Sequence, residues 1–435
     1  MAGHMLYGMC DLAIATLIGD IPGEGVEEGM DNQARAIGRR VRYWRLRRNL
    51  SRQRFADMVG RSVSWLDKIE KGERSLLRLP MLDRVAAALD IDASVLTDSS
   101  AAQRAADCVD PLEVQAIKAA LGRYAIFDTL DTDRRALSRR AISDQLAYVE
   151  HAWSSSHFMT VSRHLPRLLS DAQMFVLTAS AADQITAYRM LVVTYRLASS
   201  MLMKFDANDI AWLAADRAMQ TAIAIDDTVA LARATRSVAR AMSRSGQRAD
   251  AVTALIGMAD RIRPELTGRE HELLSLFGML FLAAAITAAT QGDAALALTM
   301  HEQAADAAER MRPHHDTHLT SFGRANVAVH RVAALVRLHE GGRALEYARH
   351  IDPTLMRTLT PERTASYLLD LTQAHIHVGH YDDATRTLGQ AEYVAPEEVR
   401  CRPPAHGLLR SLLDTASGES SRTLRQMALR AGITA

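Results

Sequence analysis

From residue 112 to the C-terminus one pattern repeats: two apolar-periodic stretches of helical length, joined by a short turn. The pairs read 188–203 with 210–225, 229–243 with 249–262, 272–290 with 294–311, 322–338 with 344–351, and 365–378 with 382–392. Apolar residues recur every three to four positions, which is the helical period. Proline and glycine fall mainly between the stretches, as punctuation. The turn glycines at 246, 292, 341 and 379 are 46, 49 and 38 residues apart. A hairpin repeating at that spacing cannot bury its apolar face alone, so the pairs must stack. Composition agrees: 48% of residues are hydrophobic but only 5% aromatic, and alanine is abundant, as closely packed helices require. The expected fold is all-α. Residues 134–169 should supply an earlier helical pair and 404–432 a cap.

A second pattern precedes the array. In SRQRFADMVGRSVSWLDKIEK, Ser51 can cap a short helix that carries Phe55, Ala56 and Val59 on one face. Gly60 suits a tight turn at positive φ. Ser62 can cap a second helix with apolar Trp65, Leu66 and Ile69. Two short helices joined at a glycine turn make a helix-turn-helix, whose second helix fits the DNA major groove. Apolar stripes flank it: Ile37, Val41 and Trp44 before, and Leu79, Leu82, Val85, Ala86 and Leu89 after. Residues 35–84 carry 15 Lys/Arg against 5 Asp/Glu, or +10, in a chain of net charge +1. A basic module on an acidic remainder is an electrostatic footprint of nucleic-acid binding.

The segment IGRRVRYWRLRRNLSRQRFADMVGRSVSWLDKIEKGER resembles the XRE, or phage-repressor, helix-turn-helix family over about residues 37–96, a seventh of the chain. The resemblance implies a double-stranded DNA operator read by the N-terminal part of the second helix. That puts Ser62, Val63, Ser64 and Asp67 nearest the bases, with Lys68 at the groove edge. Arg45, Arg52 and Arg74 are expected on phosphates, and Arg61 on either. The family usually has glutamine where this chain has Arg52, so a cationic contact replaces an amide one. Trp65 is expected in the core. A homodimer on a two-fold symmetric site is the further implication.

The unit YLLDLTQAHIHVGHYDDATRTLGQAEYVAP (367–396) is similar to a tetratricopeptide repeat, with small Ala374 and Ala384, Gly379 at the turn, Tyr381 and Pro396. The whole therefore resembles peptide-sensing quorum regulators, which hold a signalling peptide on the concave face of such a solenoid, commonly through asparagines. Beyond residue 50 only Asn208 and Asn326 occur, and only Asn326 is expected on an inner helix. Arg189, Tyr195, Arg196, Arg236, Arg240, Arg324, His330, Arg331, Gln373 and His375 are the other inner-helix candidates for gripping an anionic or peptide ligand. A small-molecule effector is equally compatible. So is a DNA-localised scaffold that recruits a partner protein.

Residues 1–30 read as a flexible acidic leader, with the first five a cloning remnant. The apolar stretch 12–18 is short and lacks a basic region before it, which argues against a signal peptide. The DNA-binding domain is expected over 31–98, a linker over 99–111, and the repeat domain over 112–435. Cys10, Cys108 and Cys401 are odd in number and far apart, without metal spacing, which fits a reducing cytoplasm. The apolar stretch 273–290 is broken by Ser275, Gly278 and Thr287 and reads as a buried helix rather than a membrane span. His314, His315 and His318 match no standard zinc spacing, and His375 and His377 lie two apart, where a helix points them different ways. No phosphate loop or nucleophile elbow appears. Neither an enzyme nor a cofactor is expected.

Overall fold

The computed structural model describes residues 26–76, 78–124, 137–266, 271–311, 321–415 and 417–433, with side chains from residue 32 onward. The sequence readings on residues 1–25 and on His314, His315 and His318 lie outside the described residues. Helices make up most of the described chain, and no strand occurs in it. It divides into two compact units, Met1–Asp107 and Cys108–Ala435.

The first unit centres on Trp44, Phe55, Val59, Leu66, Val85 and Leu89, contributed by helices α1 (Val26–Arg47), α2 (Arg52–Val59), α3 (Val63–Glu70) and α4 (Leu79–Leu89). Ser51 and Ser62 cap α2 and α3, accepting hydrogen bonds from Arg54 N and Trp65 N. Gly60 takes φ 65° between them, and its amide and that of Arg61 close the end of α2 on Asp57 O and Ala56 O. Gly38 serves a different purpose. An added Cβ there would lie 2.1 Å from Ile69 O, so α1 and the end of α3 touch backbone to backbone.

Four arginines of the basic segment are consumed inside this unit. Arg40 donates to Leu96 O, Arg47 to Ala105 O, and Arg48 to Leu89 O and Asp90 O. They serve carbonyls that chain turns leave open. Arg47 and Arg48 also lie over the Trp44 ring, at 4.9 and 5.1 Å from its centroid. Arg45 is the fourth, described with the site. The expected linker is ordered where it begins: α5 (Ser94–Thr97) is followed directly by α6 (Ser99–Ala106). Ala101, Ala102 and Ala106 are buried, because small side chains let α6 lie close against its own unit.

Among the described residues of the second unit, six helical hairpins follow α7 (Pro111–Gly122). They are α8 (Arg139–Ser154) with α9 (Phe158–Thr178), α10 (Gln184–Lys204) with α11 (Asn208–Ile223), α12 (Thr228–Arg244) with α13 (Arg248–Ile262), α14 (His271–Gln291) with α15 (Ala294–Glu309), α16 (Arg324–Arg337) with α17 (Gly341–Arg349), and α19 (Pro361–His377) with α20 (Tyr381–Val394). The short α18 (Pro353–Met356) precedes the last pair. Each hairpin turn holds one left-handed residue: Ser156, Asp206, Gly246, Gly292, His339 and Gly379. Three of the six are not glycine, which is why glycine spacing alone traced the period imperfectly. In the fifth hairpin His339 makes the turn. Gly341 opens α17 instead, where a Cβ would meet Ala374 O at 2.7 Å.

The first helices of successive hairpins pack side by side, α8 on α10, then α12, α14, α16 and α19 in sequence. Helix α8 also touches α19, so the row closes on itself. Helices α21 (Pro396–Arg400), α22 (Pro403–Leu413) and α23 (Gly418–Arg430) complete the C-terminal end. Helix α14 is long and apolar enough to cross a membrane, yet 83% of that stretch is buried in the array. Closure also brings Cys108 beside Cys401, two thiols remote in sequence; their hydrogen bond, then burial, push the Cys401 thiol up.

Candidate functional site

Two places concentrate polar groups that the fold does not consume. The first surrounds the start of α3. Asp57, Gly60, Arg61, Ser62, Trp65 and Arg74 line an open depression there. Arg61 lies over the Trp65 ring at 5.9 Å. Ser62, Ser64, Lys68 and Arg74 are exposed. Trp65 does two jobs, packing partly against the core while its edge lines the depression. Val63 likewise packs partly against the core. Arg52 is half exposed and sits 3.4 Å from Asp67, which Lys71 also approaches at 3.6 Å. The pair couples the start of α2 to the middle of α3.

Arg45 does not behave as the sequence suggested. It is 5% exposed, with Nε and Nη2 bidentate on Glu70 at 2.6 and 3.0 Å and Nη1 on Leu50 O at 2.9 Å. With its donors engaged and solvent excluded, it has nothing to offer a phosphate. It fixes the end of α3 instead.

The second place is a cavity of about 640 Å³ enclosed by the first helices of the array. Of the eleven ligand candidates, Arg196, Arg236, Arg240, His330 and Gln373 line it together, and Arg331 and His375 do not. The others are elsewhere. Arg189 pairs with Asp227 beside a smaller cavity of about 280 Å³. Tyr195 is buried and accepts a hydrogen bond from Gln173 at 3.1 Å. Arg324 is exposed on Glu309. Asn326 is buried with its amide on Met279 Sδ.

Sequence reasoning missed Lys204, Arg244, Arg248, Arg337, Arg363 and Arg402, which complete the lining. Part of the signal was present: Arg236, Arg240 and Arg244 recur every four residues, a stripe along one face of α12. Arg248 follows four residues later at the start of α13, and the others come from segments far apart in sequence. Nine cations thus face two lining carboxylates, Glu362 and Asp370. Beyond the lining, Glu150 serves Arg196, Asp206 serves Arg244, and Glu398 serves Lys204 and Arg402. Burial alone would raise the Glu362 carboxyl, but Arg363 and Lys204 outweigh it and hold it well below the usual carboxylate range. Burial, then Arg244 and Arg363, push the Arg240 guanidinium down to about 10, so it stays charged at neutral pH.

His330 is the cavity's pH-sensitive member. Burial, then Arg363, lower it to about 3, and its Nδ1 lies 2.8 Å from Asn326 O. The folded state holds it neutral while the unfolded chain protonates near 6.5, so stability is full above that value and falls as pH drops toward 3. Between pH 7 and pH 5 the wild type should lose about 2 kcal/mol from this group. Denaturant titrations of wild type and H330Q at both values check this; an unchanged slope in H330Q would assign the loss elsewhere.

Histidine geometry at the last hairpin differs from the spacing argument in one respect. His375 and His377 do point apart, His377 stacking on His339 at 5.3 Å. But the turn at Gly379 brings His375, His380 and Asp383 within 4.8 Å of one another, a grouping that five- and three-residue steps conceal.

A family model described as a helix-turn-helix domain matches residues 36–97. No curated protein and no solved structure matches the chain. The first unit therefore carries a helix-turn-helix domain of the DNA-binding kind, and the second is a repeat-like array of helical hairpins.

Proposed function

We propose that the chain is a cytoplasmic, homodimeric, sequence-specific transcription regulator. Its array, similar to tetratricopeptide repeats, binds a peptide or small-molecule signal and controls DNA binding. The observation that carries the DNA-binding half is the depression at the start of α3. There Arg61 and Arg74 are exposed, without an acidic partner among the described residues, beside Ser62, and Ser64 is exposed in the first turn of the same helix. Exposed guanidinium groups contact phosphates and fix register, while short hydroxyls at the helix start reach base edges. The sensing half draws support from the cavity, which is of ligand size and open to a charged guest.

The test is selection of DNA fragments by the purified chain, with and without a source-cell extract, followed by salt titration on the enriched site. Replacing both Arg61 and Arg74 by alanine should weaken binding to all fragments and flatten the log-affinity against log-salt slope by about 2. Loss confined to the enriched site would mean these residues read bases instead. No enriched fragment at moderate salt would refute the regulator reading.

A further inference from the structure

The cavity carries more cations than its acids can serve. Arg196, Arg244, Arg337, Arg363, Lys204 and Arg402 each have a carboxylate partner. Arg236, Arg240 and Arg248 have none among the described residues. Among the described residues Arg240 donates to the Ser200 hydroxyl alone, at 3.2 Å. The Nε atoms of Arg236 and Arg248 are shut from solvent without any acceptor. A donor shut from water and left unmade is costly, and the three guanidinium groups, each half-buried, carry charge that no carboxylate neutralises. Such a cluster persists where a guest supplies the missing charge.

We propose that this cavity binds a small polyanion through Arg236, Arg240 and Arg248. Guanidinium forks match the paired oxygens of phosphate and of carboxylate alike, and the two chemistries share the site's requirement for several charges on a compact frame. About 640 Å³ is more than a few anionic groups fill, and Ile286, Val329 and Leu369 line the remainder. The guest is therefore an organic body bearing clustered charge. The row of first helices closes on itself around this space, which suits a compact ligand over an extended chain. Arg236 feels Arg240, Arg363 and Arg196, and burial together with these like charges lowers it well below its ordinary value. The inference rests on the sensing reading above for its regulatory meaning, but not for binding itself.

Calorimetry and thermal melts of the full chain, with tripolyphosphate and with citrate against sodium chloride of equal ionic strength, test it. At least one probe should bind and raise the melting temperature, and the tighter of the two assigns the charge to phosphate or carboxylate. R236Q/R240Q should bind that probe at least tenfold more weakly. Its ligand-free melting temperature should equal or exceed that of the wild type, because an uncompensated charge has gone. Should the double variant not fold, R248Q alone should lose affinity in the same direction. Binding of neither probe overturns the proposal. So does binding that survives R236Q/R240Q but is lost when Arg61 and Arg74 are removed, which places the anion on the DNA-binding face. Cavity binding that leaves DNA affinity unchanged upholds the site and refutes ligand control. An extract that alters DNA occupancy, where neither probe binds, does the reverse.

Discussion

Replacing Glu398 by alanine should destabilise the second unit by about 3–5 kcal/mol, since it strips the partner from buried cations. Glu398 is fully buried. Its carboxylate accepts from Lys204 Nζ, Arg402 Nη1 and, at 3.3 Å, Ser156 Oγ. Those three groups belong to the end of α10, the segment before α22 and the turn between α8 and α9, so one carboxylate joins both ends of the closed row. Lys204 also lies 4.7 Å from the centre of the Phe158 ring and donates to Glu362 at 2.8 Å. Burial lowers Lys204, while Glu362 and Glu398 oppose that shift. E398Q keeps the shape and removes the charge; it should lose most of the same stability. Denaturant unfolding monitored by circular dichroism reads both. A loss below about 1 kcal/mol in either variant would show that the closure does not depend on this ion cluster.

Gly38→Ala should disable the first unit, with about 3 kcal/mol lost to overpacking and at least a tenfold fall in affinity for the enriched DNA site. The new methyl meets the Ile69 carbonyl oxygen, and Glu70 O stands 3.1 Å away. Backbone cannot rotate aside as a side chain can, so α3 must shift, carrying Ser62, Ser64 and Lys68 with it. The salt bridge of Arg45 to Glu70 is strained by the same movement. Gly60→Ala makes the control for stability. A Cβ there enters open space, and only the left-handed conformation at φ 65° opposes it, at about 1 kcal/mol. Hydrogen exchange of amides in α3 and denaturant unfolding distinguish the two, and DNA titration of G38A reads the loss of affinity. Equal operator affinity for G38A and wild type would refute the assigned contact.

Much of the fold was legible because helices are written locally. The caps at Ser51 and Ser62, the turn at Gly60 and the hairpin boundaries follow from residues only a few positions apart. Each hairpin turn needs one left-handed residue. The sequence announces it where it is Gly246, Gly292 or Gly379 and hides it where it is Ser156, Asp206 or His339. Residues 99–106 look like a linker because they are small, yet smallness is also what lets α6 pack.

The sites divide the same way. The positions of Arg61, Ser62 and Ser64 around the start of α3 follow from the motif, since the cap at Ser62 fixes that start. Arg45 could not, because its partner Glu70 lies 25 positions away and only packing shows that the pair is buried. For the array, the sequence alone determined that paired helices would stack and that inner helices would carry arginines, as local periodicity requires. Tertiary structure decided that the row closes, and therefore which arginines share one cavity and which are left without a carboxylate. Closure joins residues more than a hundred positions apart, as Lys204 does with Glu362. Charge balance in an enclosed space depends on those neighbours, and no local pattern records them.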